Sequence, residues 1–236
     1  DLSFTEPRFL DRNLSAGFDL FYKQLNYQDS SGFDQRKAGG QVRLGFPIAE
    51  NLWMQTSYGL SRDEIFDVSN NASIAIKEAC GATNLLDNTT PGCRDSGYWT
   101  SLVGTTITYD KRNNAQNPTS GYFLQAGTDF AGLGGDAQYW RVNAEARAYY
   151  PITEKITFVG RAIGGTIQGW GGEDVRLLDA FFKGGETVRG FDRAGYGPRD
   201  LVVNNGGGNY AYGSGDALGG TTYWTATAEV RFPLPF

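Results

Sequence analysis

Apolar and polar residues alternate along most of this chain. Between Gln138 and Tyr150 the even positions Trp140, Val142, Ala144, Ala146, Ala148 and Tyr150 are apolar, whereas Arg141, Asn143, Glu145 and Arg147 are polar. Successive side chains of a β-strand point to opposite faces, so this segment reads as a strand with one apolar and one wet face. The same split recurs over Thr221–Phe232, where Trp224, Ala226, Ala228, Val230 and Phe232 oppose Thr225, Thr227, Glu229 and Arg231. It recurs again over Leu14–Tyr22 and Gly39–Phe46. Further strands are expected at Leu52–Arg62, Tyr98–Lys111, Gly121–Phe130 and Ile156–Ile167, with a short one at Leu2–Phe4, about nine in all.

Most of these strands are near ten residues, about twice the length usual in a soluble sandwich. Aromatic residues (Tyr22, Trp140, Tyr150, Trp224, Phe232) stand toward the ends of the apolar faces. A strand that crosses a bilayer needs roughly 9–11 tilted residues, an outward apolar band and aromatic girdles at both interfaces. The connections also alternate. Tight or Pro-bearing turns lie at Pro7–Asn13, Pro47–Asn51, Arg112–Ser120 and Pro151–Lys155, and longer polar loops at Gln28–Phe33, Ser69–Gly97, Ala131–Ala137 and Gln168–Gly219. The expected fold is therefore all-β, an antiparallel transmembrane β-barrel with a polar lumen, short periplasmic turns and long extracellular loops. A mean hydropathy of −0.40 suits such a wall, because only one strand face meets lipid. An odd strand count does not close a bacterial barrel, and open edges in lipid leave backbone groups unpaired, so the chain is expected to be part of a larger barrel.

The Gly-rich segment of about fifty residues, Gln168–Gly219, carries FFKGGETVRGFDRAGYGPR at Phe181–Arg199. A loop of that length in a compact domain is functional or disordered. Phe181, Phe182, Val188, Phe191 and Tyr196 argue for a loop folded back into an interior. Arg189 would then leave bulk water and need a carboxylate, since a buried unpaired charge is costly. Glu229 and Glu145, each on the polar face of its strand, are the two candidates, and a surface arginine in an extracellular loop is the alternative. The loop glycines, Gly206–Gly208 among them, match no phosphate-binding motif and read as tightly turning backbone.

Composition narrows the classes. The 236 residues include no His, which removes the commonest general base and metal ligand, and the net charge of −5 argues against nucleic-acid binding. The acidic residues Asp63, Glu64 and Asp67 match no Ca²⁺ loop. Cys80 and Cys93 share the 69–97 loop and are expected to form a disulfide in an oxidising compartment, free thiols being the alternative. A short helix is expected at Ala72–Ala79 in the same loop.

GGETVRGF at Gly184–Phe191 resembles the hallmark of the BamA-like outer-membrane assembly factors, a [V/I]RG[F/Y] tetrad in a long loop between late barrel strands. LGFPIAENL (Leu44–Leu52), NPTSGYFLQAG (Asn117–Gly127) and AEVRFPLPF (Ala228–Phe236) are similar to that family in the same order, so the resemblance runs nearly end to end. It implies that the chain covers roughly the fourth to the twelfth strand of a sixteen-stranded barrel. It also implies that Val188, Arg189, Gly190 and Phe191 tuck inside, with Arg189 held by Glu229 and Glu145 in reserve. The implied function is non-enzymatic: folding and inserting β-barrel proteins into the Gram-negative outer membrane without ATP or a cofactor. The implied partners are outer-membrane lipid, unfolded clients, and accessory lipoproteins bound through POTRA domains, which this sequence does not contain. The alternatives are a polypeptide-secreting transporter of the same superfamily and, in a different class, a passive porin or receptor barrel.

Overall fold

The computed structural model describes residues 1–83, 85, 93, 96–200, 202–203, 210–211 and 215–233. Gly206–Gly208 and the last three residues of AEVRFPLPF lie outside them. Among the described residues nine strands form one sheet in sequence order. They are β1 (Leu2–Glu6), β2 (Ser15–Asn26), β3 (Asp34–Ala49), β4 (Leu52–Phe66), β5 (Tyr98–Asp110), β6 (Gly121–Gly135), β7 (Tyr139–Pro151), β8 (Thr157–Gly169) and β9 (Thr222–Arg231). Every neighbouring pair is antiparallel, from Phe4 opposite Phe18 at one edge to Glu229 opposite Val159 at the other. This is an up-and-down wall in which β1 and β9 are the edges.

Several strands run beyond the lengths that alternation gives: β3 extends back to Asp34 and β4 on to Phe66. The added ends are mostly polar, Ile65 and Phe66 apart, and ion pairs hold them across strands (Lys37–Asp63 at 2.9 Å and Arg36–Glu64 at 3.3 Å). The hydrophobic period is therefore blind to them. These pairs also engage Asp63 and Glu64.

One face of the sheet is apolar and uncovered. Phe18, Leu20, Tyr22, Val42, Leu44, Ile107, Tyr122, Leu124, Phe130, Phe158, Trp224 and Val230 are all exposed. On β7 the outward row from Trp140 to Tyr150 follows about 33 Å of strand, and a tilt of about 40° projects it to the roughly 25 Å of a barrel's lipid-facing band. The opposite face carries a polar ladder, including Asp19–Arg43 at 2.8 Å and Asp129–Arg141 at 3.0 Å.

The two buried clusters lie at the long-loop end of the sheet, where strand ends and the loops above them form a cap. One cluster joins Phe33, Ile65, Ala72, Ile76 and Cys80. A second joins Tyr98, Ala131, Ala137, Tyr139 and Ile167, and Leu178 packs against both. The cap includes α1 (Gln28–Ser31) and α2 (Ile74–Ala79), the latter close to the expected helix. Cys80 and Cys93 are disulfide-bonded beside Ile76, across a sequence separation of 13. The 170–221 loop is stitched into this cap. Asp216 Oδ2 accepts from Ser73 N at 2.7 Å and Asp200 Oδ2 from Ala75 N at 2.6 Å. Arg193 lies over the Tyr27 ring at 4.6 Å. Its upper part is thus fixed by packing, and its lower part descends along the polar face of β7–β9.

Candidate functional site

The descent begins at Phe181, which exchanges two backbone hydrogen bonds with Gly220 at 2.9 and 3.0 Å. Gly184 and Gly185 then pass directly under the returning backbone. A Cβ on Gly184 would stand 1.9 Å from Asp192 O, and one on Gly185 2.3 Å from Phe191 O. Only hydrogen fits at these two positions. Gly185 N donates to Asp192 O, and Thr187 N and Val188 N both donate to Gly184 O at 2.8 and 2.9 Å. The turn so closed presents Val188-Arg189-Gly190-Phe191 at its tip. Gly190 has a φ of +92°, in the region that favours glycine.

Arg189 Nη2 donates to Glu229 Oε1 at 2.8 Å. Glu145, the other candidate acid, is occupied: Arg147 and Arg161 donate to it through Nε at 2.5 and 2.7 Å. Arg147 and Arg161 are register partners on β7 and β8. Like charges directly opposite destabilise a sheet, and the carboxylate between these two relieves the repulsion. Glu229 likewise serves two cations, with Arg231 Nη2 4.0 Å away. The result is a wall of arginines threaded by Glu145 and Glu229, beside a cavity of about 620 Å³ that Glu229 lines from the strand side and Glu186 and Arg189 from the loop side.

On this open wall the Arg189 side chain is 85% exposed and that of Glu229 is 30% exposed. The tip sits on the concave side of the sheet, and Glu229 meets it from the inner row of β9. Phe191 is also exposed and meets Tyr196 edge-on, with ring centroids 5.6 Å apart. Val188 is half-buried.

Higher in the loop, alternation gave no sign of Asp179. It is 8% exposed and accepts from Tyr98 Oη at 3.3 Å. Burial, with the Asp63 carboxylate nearby, pushes its carboxyl up to about 6, against the pull of Lys37 and Arg141. Between its ordinary value of 3.8 and about 6 the folded chain holds this proton more tightly than the unfolded chain does. Stability therefore falls as pH rises through that window, by about 3 kcal/mol once Asp179 is fully charged. Asp179→Asn keeps an acceptor for Tyr98 and removes the charge. Its melting temperature in detergent should match the parent's near pH 4 and exceed it at pH 7, and a constant difference across that range would contradict this assignment.

Among the described residues no group of His, Cys, Asp and Glu is placed to hold a metal ion. What the geometry defines is a membrane-facing antiparallel β-barrel wall whose lumen side is occupied by an inward loop, paired by arginine to a strand carboxylate. All residues, 1–236, match the Omp85 superfamily domain, and the chain belongs to that family. It is 29% identical over 99% of its length to the outer membrane protein assembly factor BamA of Neorickettsia risticii, covering 28% of that protein. It is 26% identical over its full length to the human sorting and assembly machinery component 50 homolog, covering 44% of it. The crystal structure of Haemophilus ducreyi BamA lacking POTRA domains 1–3 superposes with a TM-score of 0.81 at 20% identity, over 99% of this chain and 44% of that one. The chain thus spans less than half the length of these relatives.

Proposed function

We propose that this chain is the central and late barrel wall of an outer-membrane protein assembly factor, which folds and inserts β-barrel clients without ATP and without enzymatic chemistry. The observation that carries the reading is the Arg189–Glu229 contact. It ties the signature loop of the family to the strand that follows it, inside the barrel wall. A loop held there obstructs the lumen, which supports an insertase over a transporter that passes polypeptide through its pore. A bacterial relative named an outer membrane protein assembly factor and a human one named a sorting and assembly machinery component homolog support the same choice. The partners that follow are outer-membrane lipid along the exposed apolar face, unfolded client barrels, and accessory lipoproteins engaged through POTRA domains elsewhere in the whole protein.

The full-length protein in lipid vesicles, supplied with an unfolded client barrel, tests this. Arg189→Ala should slow client insertion by up to about fivefold, the equivalent of the 1 kcal/mol or less that an exposed pair contributes. Insertion at the parental rate, together with a steady ion conductance through the parent barrel, would favour the transporter.

A further inference from the structure

The Arg189–Glu229 contact does not by itself account for where the loop sits. A single ion pair with one partner this exposed is a weak tether, and one contact leaves the tip of the loop free to pivot about it. A second cation from the same loop reaches the same strand. Lys183 Nζ lies 4.2 Å from the centroid of the Tyr223 ring and 5.7 Å from that of Phe181. The two rings meet edge-on with centroids 4.7 Å apart, and Phe181 is already anchored by its backbone to Gly220. The seat therefore exists before the lysine enters it. Partial burial disfavours the Lys183 ammonium, and the negative faces of the rings supply the compensation that water no longer gives.

The spacing makes this more than a local contact. Tyr223 and Glu229 lie on the same inward row of β9, six residues apart, which is about 20 Å of strand. The loop from Lys183 to Arg189 has the same number of steps but is folded, with Thr187 N and Val188 N both bonded to Gly184 O. Its backbone does not span that length, and the two long side chains cover the difference.

We propose that Lys183 is a second positioning residue of this loop: seated on Tyr223 and Phe181, it clamps the loop to β9 at two points together with Arg189–Glu229. One contact sets the height of the tip, and the pair sets its rotation. This deepens the assembly-factor reading and rests on it for its meaning, but its test does not use assembly.

Hydrogen exchange read by mass spectrometry on the full-length protein, folded in detergent micelles, reports the loop directly. The peptide covering Gly184–Val188 holds three of the bonded amides. Lys183→Met and Tyr223→Leu should each speed its exchange about tenfold, and the double variant should exchange no faster than the worse single one. Lys183→Arg and Tyr223→Phe keep the cation and the ring and should stay within about twofold of the parent. Unchanged exchange in both disruptive variants, or multiplied effects in the double, would overturn the clamp. If Tyr223→Leu fails to fold, the comparison of Lys183→Met with Lys183→Arg decides, and equal exchange in those two overturns it. Normal client insertion by Arg189→Ala, by contrast, counts against the assembly reading and leaves the exchange result standing.

Discussion

Alanine at Gly184 is expected to unfold the tip of the long loop while leaving the nine-stranded wall intact. The added Cβ would stand 1.9 Å from Asp192 O and 2.7 Å from Ala194 N. Asp192 O is not free to move, because it accepts from Gly185 N at 3.1 Å and from Gly195 N at 2.9 Å. Relief requires breaking both hydrogen bonds, so the cost should exceed about 3 kcal/mol, more than overpacking or one lost bond alone. Gly190→Ala is the control. Its φ of +92° strains an alanine, but nothing lies within 4 Å of the added atom, and the cost should be roughly 1–2 kcal/mol. In Gly184→Ala the amides of Gly185, Thr187 and Val188 should exchange freely, while the heat-modifiable mobility of the folded barrel is unchanged. Client insertion should fall at least as far as in Arg189→Ala. If the two alanine variants behave alike, the close backbone crossing is not what shapes the turn.

The wall was legible in the sequence because lipid enforces a strict rule on it. Every second residue of β7 and β9 that faces lipid is apolar, and most residues between are polar, so Trp140–Tyr150 and Trp224–Val230 stand out from one chain alone. Strand ends outside the lipid obey no such rule. The Asp34–Lys37 and Asp63–Phe66 extensions are held instead by the cross-strand pairs of Asp63 and Glu64 and by Ile65 in the cap core, neither of which carries a period. The loop was half legible. Arg189, Glu229 and the glycines were visible as types, since an arginine among glycines and aromatics in a long loop calls for a partner. Lys183 was not, because a lysine on two rings is written as ordinary loop residues 40 positions apart from the Tyr223 it meets. Arg147 and Arg161 could have been found. Once β7 and β8 are paired antiparallel through a short turn, the two fall opposite each other, and Glu145 on the same row is then claimed before Arg189 can reach it. Asp179 offers no sequence signal, for its burial comes from cap packing between segments far apart in the chain.

Reversing charge at the two ends of the Arg189–Glu229 pair should give unequal results, and the inequality follows from the wall. Arg189→Glu puts a carboxylate on an 85% exposed side chain facing Glu229, where Arg231 stands 4.0 Å away to moderate the repulsion. Glu229→Arg does the opposite. It removes the acid shared by Arg189 and Arg231 and adds a further guanidinium to a cavity already lined by Arg147, Arg161, Arg189 and Arg231. Like charges brought together in this way cost several kcal/mol, so client insertion should drop more than tenfold for Glu229→Arg and only a few-fold for Arg189→Glu. Combining the two should recover part of the loss, because opposite charges then meet across the same gap with their positions exchanged. Recovery should stop short of the parent, since the guanidinium introduced on β9 still faces Arg231 along its own strand. Raising salt from about 0.05 to 0.5 M should lift the Glu229→Arg variant more than the parent, as screening shortens the reach of the unpaired arginines. A double variant no better than Glu229→Arg alone would mean that the loop and β9 do not meet through these two side chains. A Glu229→Arg variant no worse than Arg189→Glu would mean that the arginine wall does not set the electrostatics of the site.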